Sequence, residues 1–334
     1  MAQDEITRTR IVVIGGGTGS FTLLTGLKQY VRDITALVNM ADDGGSTGTL
    51  RDELGVLPPG DVRQCLVALS ESPKVRELFN YRFDKGGLKG HAFGNLFLTA
   101  LEKMTGSFAE AVELASEVLN INGHVYPATL SNVTLCAEGP DGCTIKGEYI
   151  IGQADLASRP RIWLEPEAKA NPAAITAIER ADMVVIAPGD LYSSLAPVLV
   201  IDEIRTALHN TRAKCVFVCN LVSKLSAVHH LGVLDFAREI ERLAGGEFLD
   251  YVVYNNGIPP AELMERYAQE NARLVSYDEA ELARHQSCEF IGAPILSRHL
   301  TKPSTSSDPI ADSRSLIRHD PDLVARQLMR IYFS

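Results

Sequence analysis

Short apolar runs alternate along this chain with segments whose apolar residues recur at helical spacing. Apolar runs of about four to eight residues are typical of strands that are buried on both faces, as in a parallel sheet. The predicted strands are 11–14, 34–40, 183–187, 215–219 and 251–254, and the predicted helices are 20–31, 62–69, 94–101, 108–119, 172–181, 233–244 and 321–332. This order predicts an α/β, Rossmann-like three-layer fold with a mostly parallel sheet.

One part of the chain departs from this alternation. Residues 122–165 contain short β-rich segments, divided by a Gly-Pro-Asp-Gly turn sequence at 139–142. We expect a small antiparallel β excursion here, built from 133–137, 144–151 and 161–164. Residues 296–315 are rich in Ser, Thr, Pro and Asp, which predicts a surface loop. We interpret residues 10–334 as one domain.

The composition of the chain argues against several classes of protein. The chain has 334 residues, and 32 basic against 42 acidic side chains give a net charge of −10. This balance argues against non-specific binding to nucleic acid or to an anionic membrane. No run approaches the roughly 20 apolar residues of a membrane span, so we predict a cytoplasmic protein. The six cysteines include no C-x-x-C pair, and Cys215 and Cys219, which share one face of a predicted strand, are interpreted as buried apolar residues.

A glycine-rich loop follows the first predicted strand. Gly15, Gly16, Gly17 and Gly19, with Thr18 and Ser20 among them, lie between an apolar run and a helical pattern. Exposed main-chain N–H groups and the positive end of a helix suit a phosphate. A tight turn with no ligand is the alternative. The loop lacks the Gly-Lys-Ser/Thr ending of a Walker A motif and the third glycine of the dinucleotide fingerprint, so an NAD-dependent oxidoreductase has little support.

Polar residues follow the second predicted strand. Asp42 and Asp43 precede Gly44, Gly45 and Ser46, at the edge where open α/β sheets bind ligands. The two carboxylates suit Mg²⁺, hydroxyl groups or proton transfer. The alternative is that Asp42 caps the turn while Asp43 is solvated. Arg51 suits a phosphate or, equally, a surface salt bridge.

Three further segments place polar side chains near helix starts. His91 and Asn95 stand at the start of a predicted helix, after the glycines at 86, 87 and 90, although a lone His and an N-cap Asn are more often structural. Asp61 is predicted to be the N-cap of the helix at 62–69. Residues 189–194 repeat the pattern of strand, turn and helix start, and Asn220 follows the next strand. The residues of interest in the 189–194 turn are Gly189, Tyr192, Ser193 and Ser194.

Together these segments resemble the YvcK family of the CofD-like superfamily. The resemblance extends from about residue 10 to the end of the chain. It is carried by Gly15–Gly19, Ala41–Ser46, Leu57–Asp61, Gly90–Asn95, Pro188–Ser194 and Arg318–Asp320. The resemblance implies a Rossmann-like fold and binding of UDP-N-acetylglucosamine by a regulator of gluconeogenic growth, cell-envelope synthesis and cell shape. It also implies a cytoplasmic homodimer whose protein partner the sequence does not identify.

The resemblance assigns contacts with the nucleotide sugar to Thr18, Asn220 and Arg318. One departure follows Asn220, where the family's Met-Thr-Gln-Pro-Gly-Glu-Thr-like loop is replaced by the sequence at 221–226. The alternative function is that of the CofD enzymes, which transfer a 2-phospholactyl group from a nucleotide donor with Mg²⁺, here at Asp42 and Asp43. We regard a binding protein without catalysis as the first hypothesis.

Overall fold

The computed structural model describes residues 9–223, 231–261, 264–265, 272–297 and 317–334. Its strands are β1 Arg10–Gly15, β2 Asp33–Val38, β3 His124–Pro127, β4 Thr134–Glu138, β5 Thr144–Lys146, β6 Ile162–Glu165, β7 Met183–Ile186, β8 Lys214–Val218, β9 Val222–Ser223, β10 Tyr251–Asn255, β11 Arg273–Leu274 and β12 Glu289–Ala293. The predicted strands are therefore confirmed, with ends that shift by one or two residues.

The helices are named in chain order. They are α1 Gly17–Leu27, α2 Gly45–Leu54, α3 Gly60–Leu69, α4 Pro73–Asn80, α5 Phe93–Thr105, α6 Phe108–Leu119, α7 Glu148–Ile151, α8 Pro172–Arg180, α9 Ala196–Leu199, α10 Asp202–Asn210, α11 Val233–Ala244, α12 Glu279–Leu282 and α13 Pro321–Phe333. A π-helical turn, Leu191–Leu195, precedes α9. Helix α1 begins three residues earlier than predicted, because the glycine loop itself forms its first turn.

A seven-stranded parallel sheet forms the middle layer, in the order β12-β10-β8-β7-β1-β2-β3. Successive side chains of a strand point to opposite faces of a sheet. In β1, Ile11 and Val13 accordingly join one apolar core, while Val12 and Ile14 join the other. Both faces of the strand are buried, which explains its continuous apolar sequence and confirms the predicted three-layer α/β fold.

The predicted antiparallel excursion is confirmed only in part. Strands β5, β4 and β6 form a separate antiparallel sheet, which includes Trp163. Strand β3, however, pairs in parallel with β2 as the outer strand of the main sheet. Residues 144–151 are also not one strand, because β5 ends at Lys146 and α7 follows it. Pairing direction depends on distant partners, which the local sequence pattern does not encode.

The C-terminal helix begins where it was predicted, at residue 321, and ends one residue later. Asp320 caps it by accepting hydrogen bonds from the N–H groups of Asp322 and Leu323. The predicted surface loop at 296–315 lies outside the described residues from 298 onward. Over the described ranges, every helix is too short or too polar to cross a lipid bilayer.

Candidate functional site

The order of the strands places a crevice between β1 and β7. Connections from β1 proceed toward β2 and β3, whereas β7 is followed by β8, β10 and β12 on the opposite side. Ligands of open α/β sheets bind at the carboxyl ends of the strands where the order reverses in this way. The segments that follow β1, β2, β7 and β8 all begin at this edge, and they contain most of the predicted ligand residues.

The glycine loop after β1 is packed too closely for side chains. A Cβ atom on Gly16 would lie 2.0 Å from Asp61 Oδ2, and one on Gly19 would lie 1.7 Å from the Pro188 carbonyl oxygen. Gly17 has a φ of +60°, a conformation that L side chains rarely adopt. The backbone of the loop therefore meets its neighbours directly, and no Cβ stands between its N–H groups and the crevice.

Four helix N-termini near this edge lack a side-chain cap, and those of α10 and α11 lack one as well. The N-cap residues of α1, α2, α3 and α5 form no side-chain cap hydrogen bond; they are Gly16, Gly44, Pro59 and Ala92. Side chains do cap α4, α6, α8 and α13, through Ser72, Ser107, Asn171 and Asp320. A helix start without such a cap leaves main-chain N–H groups and a positive dipole end for another acceptor, and at α1 the Asp61 carboxyl already accepts from the N–H of Gly17.

Three carboxyl groups lie below these helix starts. Asp61 belongs to the first turn of α3 and accepts a hydrogen bond from Gly17 N–H. Asp42 Oδ1 accepts one from Gly44 N–H (3.0 Å), and the Thr47 side chain also bonds to this carboxyl. Glu148, on α7, is bonded to the Ser193 side chain. Asp61 is thus not the N-cap that the sequence predicts, because α3 starts one residue before it.

Burial is the main cause of the raised pKa values of these three carboxyl groups. Burial first, and the nearby Asp42 carboxylate second, raise the pKa of Asp61 to about 7 and that of Glu148 to about 8. The pKa of Asp42 is raised as well, by burial first and by Asp43 to a smaller extent. Carboxyl groups with such pKa values exchange protons near neutral pH, and they cluster at functional sites.

Asp43 has a structural task that contradicts the expectation of a solvated side chain. Its Oδ2 accepts a hydrogen bond from Glu148 N–H (3.0 Å), and its Oδ1 accepts one from Tyr149 N–H (2.8 Å). Asp43 thereby holds the start of α7, a helix that lies far away in the sequence. This contact positions Glu148 above Asp42 and Asp61.

The predicted Mg²⁺ site consists of the carboxyl groups of Asp42 and Asp43. Both Asp43 oxygens accept main-chain hydrogen bonds, and one Asp42 oxygen does the same. Within the described part of the chain, no group of three or more His, Cys, Asp or Glu side chains is arranged to hold a metal ion. Mg²⁺ is commonly held by one or two carboxylates together with the phosphates of a ligand, so Asp42 and Asp43 stay a predicted Mg²⁺ site.

The structure brings three predicted ligand residues, His91, Asn95 and Ser46, together at the start of α2. The hydroxyl of Ser46 lies 2.9 Å from His91 Nδ1, and Asn95 Nδ2 donates to the same hydroxyl oxygen (3.3 Å). Arg63 Nε donates to Asn95 Oδ1 (2.9 Å), although Arg63 is not among the residues predicted for the site. These four side chains form one hydrogen-bonded chain beside the start of α2.

The turn after β7 is fixed from two sides. Asp190 Oδ1 accepts hydrogen bonds from the N–H groups of Tyr192 and Ser193 (3.2 and 2.8 Å). Asn220 Nδ2 donates to the Gly189 carbonyl oxygen (2.7 Å), and its Oδ1 accepts from Gly189 N–H (3.1 Å). These contacts place Gly189, Ser193 and Ser194 at the same edge as the glycine loop.

Two predicted ligand residues turn inward instead. The hydroxyl of Ser20 is buried without a hydrogen-bond partner, close to where a Cβ on Gly15 would lie. The Tyr192 hydroxyl donates to Glu239 Oε1 (2.9 Å) inside the core. Helical periodicity and turn geometry direct both side chains away from the edge, so neither hydroxyl is available to a ligand in this structure.

The remaining predicted residues surround the edge. Thr18 is exposed in the first turn of α1. Arg51 donates to the Val133 carbonyl oxygen, and it thereby links α2 to the segment before β4. Arg318 lies next to His319, whose Nε2 is 3.1 Å from the Cys219 carbonyl oxygen. Burial lowers the pKa of His319 to about 4, so this ring is neutral and donates to Cys219, which keeps Arg318 near Asn220.

A cavity of about 170 Å³ continues from Asn220 along the ends of β8 and β10. Polar atoms are supplied to it by Asn255 and Asn256, and Tyr277 contributes an aromatic ring. Of the divergent segment 221–226, residues 221–223 are described, and Leu221 lines this cavity. Residues 224–226 lie outside the described ranges.

Sequence reasoning missed Asp61 and Glu148 as members of the site. Asp61 lies in the Leu57–Asp61 motif, so the motif itself was a signal, although it was interpreted as a cap. Glu148 had no comparable signal, because only the folded chain brings α7 to Asp43, which follows β2.

Known proteins are similar over almost the whole chain. Residues 11–296 match the family described as 2-phospho-L-lactate transferase CofD. The gluconeogenesis factor of Bacillus subtilis (strain 168) is 37% identical over 325 residues, which cover 96% of this chain and 98% of that protein. The gluconeogenesis factor of Listeria innocua is 35% identical over 326 residues, or 97% of this chain and 95% of that protein.

Solved structures have the same fold. The crystal structure of protein BH3568 from Bacillus halodurans is 34% identical and has a TM-score of 0.86, covering 97% of this chain and 100% of that chain. A second crystal structure of BH3568, described as a member of the UPF0052 family, has a TM-score of 0.86 at 33% identity. Similarity in sequence and in fold therefore extends over the same residues.

Proposed function

The chain belongs to the CofD family and, within it, to the gluconeogenesis factors of the YvcK group, and we propose that it is a regulatory protein that binds UDP-N-acetylglucosamine. In this proposal the protein acts in the cytoplasm as a homodimer. It links the supply of this nucleotide sugar to gluconeogenic growth, cell-envelope synthesis and cell shape, through a protein partner.

The observation that carries the proposal is the group of uncapped helix starts around the glycine loop. Helices α1, α2 and α3 all begin at the edge of the sheet beside the crevice, and their N-caps offer no side-chain oxygen to their own N–H groups. A diphosphate supplies several oxygen acceptors on one compact group. Main-chain N–H groups and three positive dipole ends stabilise such a group.

The rest of the nucleotide is assigned to the side of Asn220. The cavity beyond Asn220 is about 170 Å³, and it offers amide donors and acceptors together with the Tyr277 ring. A uracil base requires such a mixture of hydrogen-bonding groups and a flat apolar surface. Arg318, held near Asn220 by its neighbour His319, supplies a cation for the phosphate closer to the ribose.

A second function is favoured by one specific observation, the buried carboxyl groups. In a CofD-type transferase, Asp61 or Glu148 would accept the proton of an acceptor hydroxyl, and the freed oxygen would attack the phosphorus that bears the lactyl group. The bond from that phosphorus to the nucleotide phosphate would break, and a nucleoside monophosphate would leave. The raised pKa values of both groups suit a proton acceptor near neutral pH.

Calorimetry with the purified protein tests the first proposal. We expect UDP-N-acetylglucosamine and UDP to bind, and uridine to bind at least tenfold more weakly. Equal affinity for uridine would refute the role of the helix starts. Mass spectrometry after incubation with a phospholactyl nucleotide donor and a deazaflavin tests the second function, since only the transferase forms a phospholactyl deazaflavin.

A further inference from the structure

The chain of hydrogen bonds beside α2 has a defined direction. Arg63 Nε carries only a proton to donate, so the Asn95 amide must present its oxygen to Arg63. The NH₂ group of Asn95 then faces the other way and donates to Ser46 Oγ, 3.3 Å distant. Arg63 Nη1 also donates to Asn80 Oδ1 (2.5 Å), which holds the guanidinium in place.

This direction determines where the Ser46 proton goes. The hydroxyl oxygen accepts from Asn95, and its own proton needs an acceptor. Among the contacts of the described residues, that acceptor is His91 Nδ1, at 2.9 Å. A nitrogen that accepts a hydrogen bond carries no proton, so the neutral His91 ring must hold its proton on Nε2.

The packing around these residues keeps the arrangement rigid. Arg63 and Asn95 are 6% and 3% exposed, respectively. A Cβ atom on Gly94 would lie 2.7 Å from Arg63 Cδ, so glycine at this position leaves the room that Arg63 needs to reach Asn95. Within the motif Gly90–Asn95, His91 supplies the ring, Gly94 the space and Asn95 the amide.

We propose that Arg63, Asn95 and Ser46 are positioning residues that fix the tautomer of His91, so that its Nε2–H serves as a hydrogen-bond donor to a phosphate oxygen of the bound ligand. The ring is half-buried, and its Nε2 has no partner within the described part of the chain. Ser46 belongs to the first turn of α2, whose N–H groups are uncapped. The identity of the ligand rests on the proposed function, whereas the tautomer does not.

Nitrogen-15 NMR of the histidine rings in the ligand-free protein tests the tautomer directly. Long-range proton–nitrogen correlations distinguish a protonated Nε2 from a protonated Nδ1. We expect His91 to show the Nε2–H form at pH 8, and a predominant Nδ1–H form would overturn the proposal. His124, which stacks on Tyr126 away from this edge, serves as an internal reference.

Two variants test the positioning residues. Asn95→Asp still accepts from Arg63 but has no proton for Ser46, so the Ser46 hydroxyl can turn to the new carboxylate. We expect the Nδ1–H form of His91 to appear in this variant, and an unchanged His91 spectrum would contradict the proposal. If Asn95→Asp fails to fold, Ser46→Ala replaces it; loss of the hydroxyl donor must then shift the Nδ1 resonance.

Titration with UDP-N-acetylglucosamine tests the donor role. The amide of His91→Gln can place an N–H near the position of Nε2, whereas His91→Phe cannot donate. We expect His91→Phe to weaken binding at least tenfold and His91→Gln to stay within about threefold of the unchanged protein. If His91→Phe and His91→Gln both bind as tightly as the unchanged protein, His91 is not a ligand contact. If the unchanged protein binds neither UDP-N-acetylglucosamine nor UDP, the proposed function fails and the NMR result alone decides the tautomer.

Discussion

Asn220 and Gly189 are joined by a pair of hydrogen bonds between one side-chain amide and one main-chain peptide. The pair ties the end of β8 to the turn that follows β7, its neighbour in the sheet. An amide is the side-chain group that both donates and accepts at this spacing. Asn220 therefore shapes the turn at Gly189–Ser194, whatever it contributes to a ligand.

Replacing Asn220 by Asp should test this pair. The carboxylate cannot donate to the Gly189 carbonyl oxygen, and it places a negative charge against that oxygen. We expect the free energy of unfolding to fall by about 1–3 kcal/mol, the cost of leaving a partly buried carbonyl without its donor. Urea denaturation measures the change. The exposed Asn210→Asp is the control, and a similar loss in both variants would contradict this account.

Substitution of Gly19 by Ala should disturb the crevice. The new Cβ would lie 1.7 Å from the Pro188 carbonyl oxygen, so α1 and the turn after β7 must move apart. We expect a loss of stability of about 1–3 kcal/mol and weaker binding of UDP-N-acetylglucosamine. A Cβ on Gly87 would meet no atom within 4 Å, so Gly87→Ala is a matched control that should change neither quantity.

The raised pKa of Asp61 predicts a dependence of stability on pH. Its pKa is about 7 in the folded protein against an ordinary value of 3.8, so the folded state binds the proton more tightly than the unfolded state. The contribution of Asp61 is therefore present below about pH 4 and is lost as the pH rises to about 7. Asp61→Asn should remove this loss, which is on the order of a few kcal/mol.

Urea denaturation of both proteins at pH 5 and pH 8 measures this effect. Asp61→Asn is expected to gain stability relative to the unchanged protein at pH 8 and to gain less at pH 5. Asp52 is exposed, so Asp52→Asn serves as the control. Its free energy of unfolding should differ from that of the unchanged protein by the same amount at pH 5 and at pH 8. An Asp61→Asn protein with an unaltered pH profile would show that the Asp61 carboxyl does not titrate in this range.

Arg318→Ala should weaken the binding of UDP-N-acetylglucosamine by about 1.5–3 kcal/mol, as expected for the loss of a hydrogen bond to a charged group. Calorimetry provides the measurement. Arg330→Ala removes an exposed arginine from the last turn of α13 and should leave the affinity unchanged. Equal affinity of Arg318→Ala and the unchanged protein would exclude Arg318 from the ligand contacts.

The features that the sequence predicted well are those that depend on near neighbours. Helix α11 was predicted with the bounds that it has, because its apolar stripe and its flanking glycines are local signals. The direction of β3 was not predictable in the same way, since it follows from its pairing with β2 almost a hundred residues earlier.

The same distinction applies to the candidate site. The glycine loop was recognisable because its residues are consecutive. Glu148 was not, because it reaches the edge only through the bond between Asp43 and the start of α7. The inward direction of the Tyr192 hydroxyl likewise depends on Glu239, a residue on another helix.

The position of Trp163 gives the protein an intrinsic optical reporter. It is the single tryptophan of the chain, and it lies in β6, the strand that pairs with β4 in the smaller sheet. The Arg161 guanidinium lies over its ring, with the central carbon 5.3 Å from the ring centroid. Indole fluorescence will therefore report on the surroundings of the smaller sheet, while circular dichroism reports on the secondary structure of the whole chain, so local and global unfolding can be compared without any label.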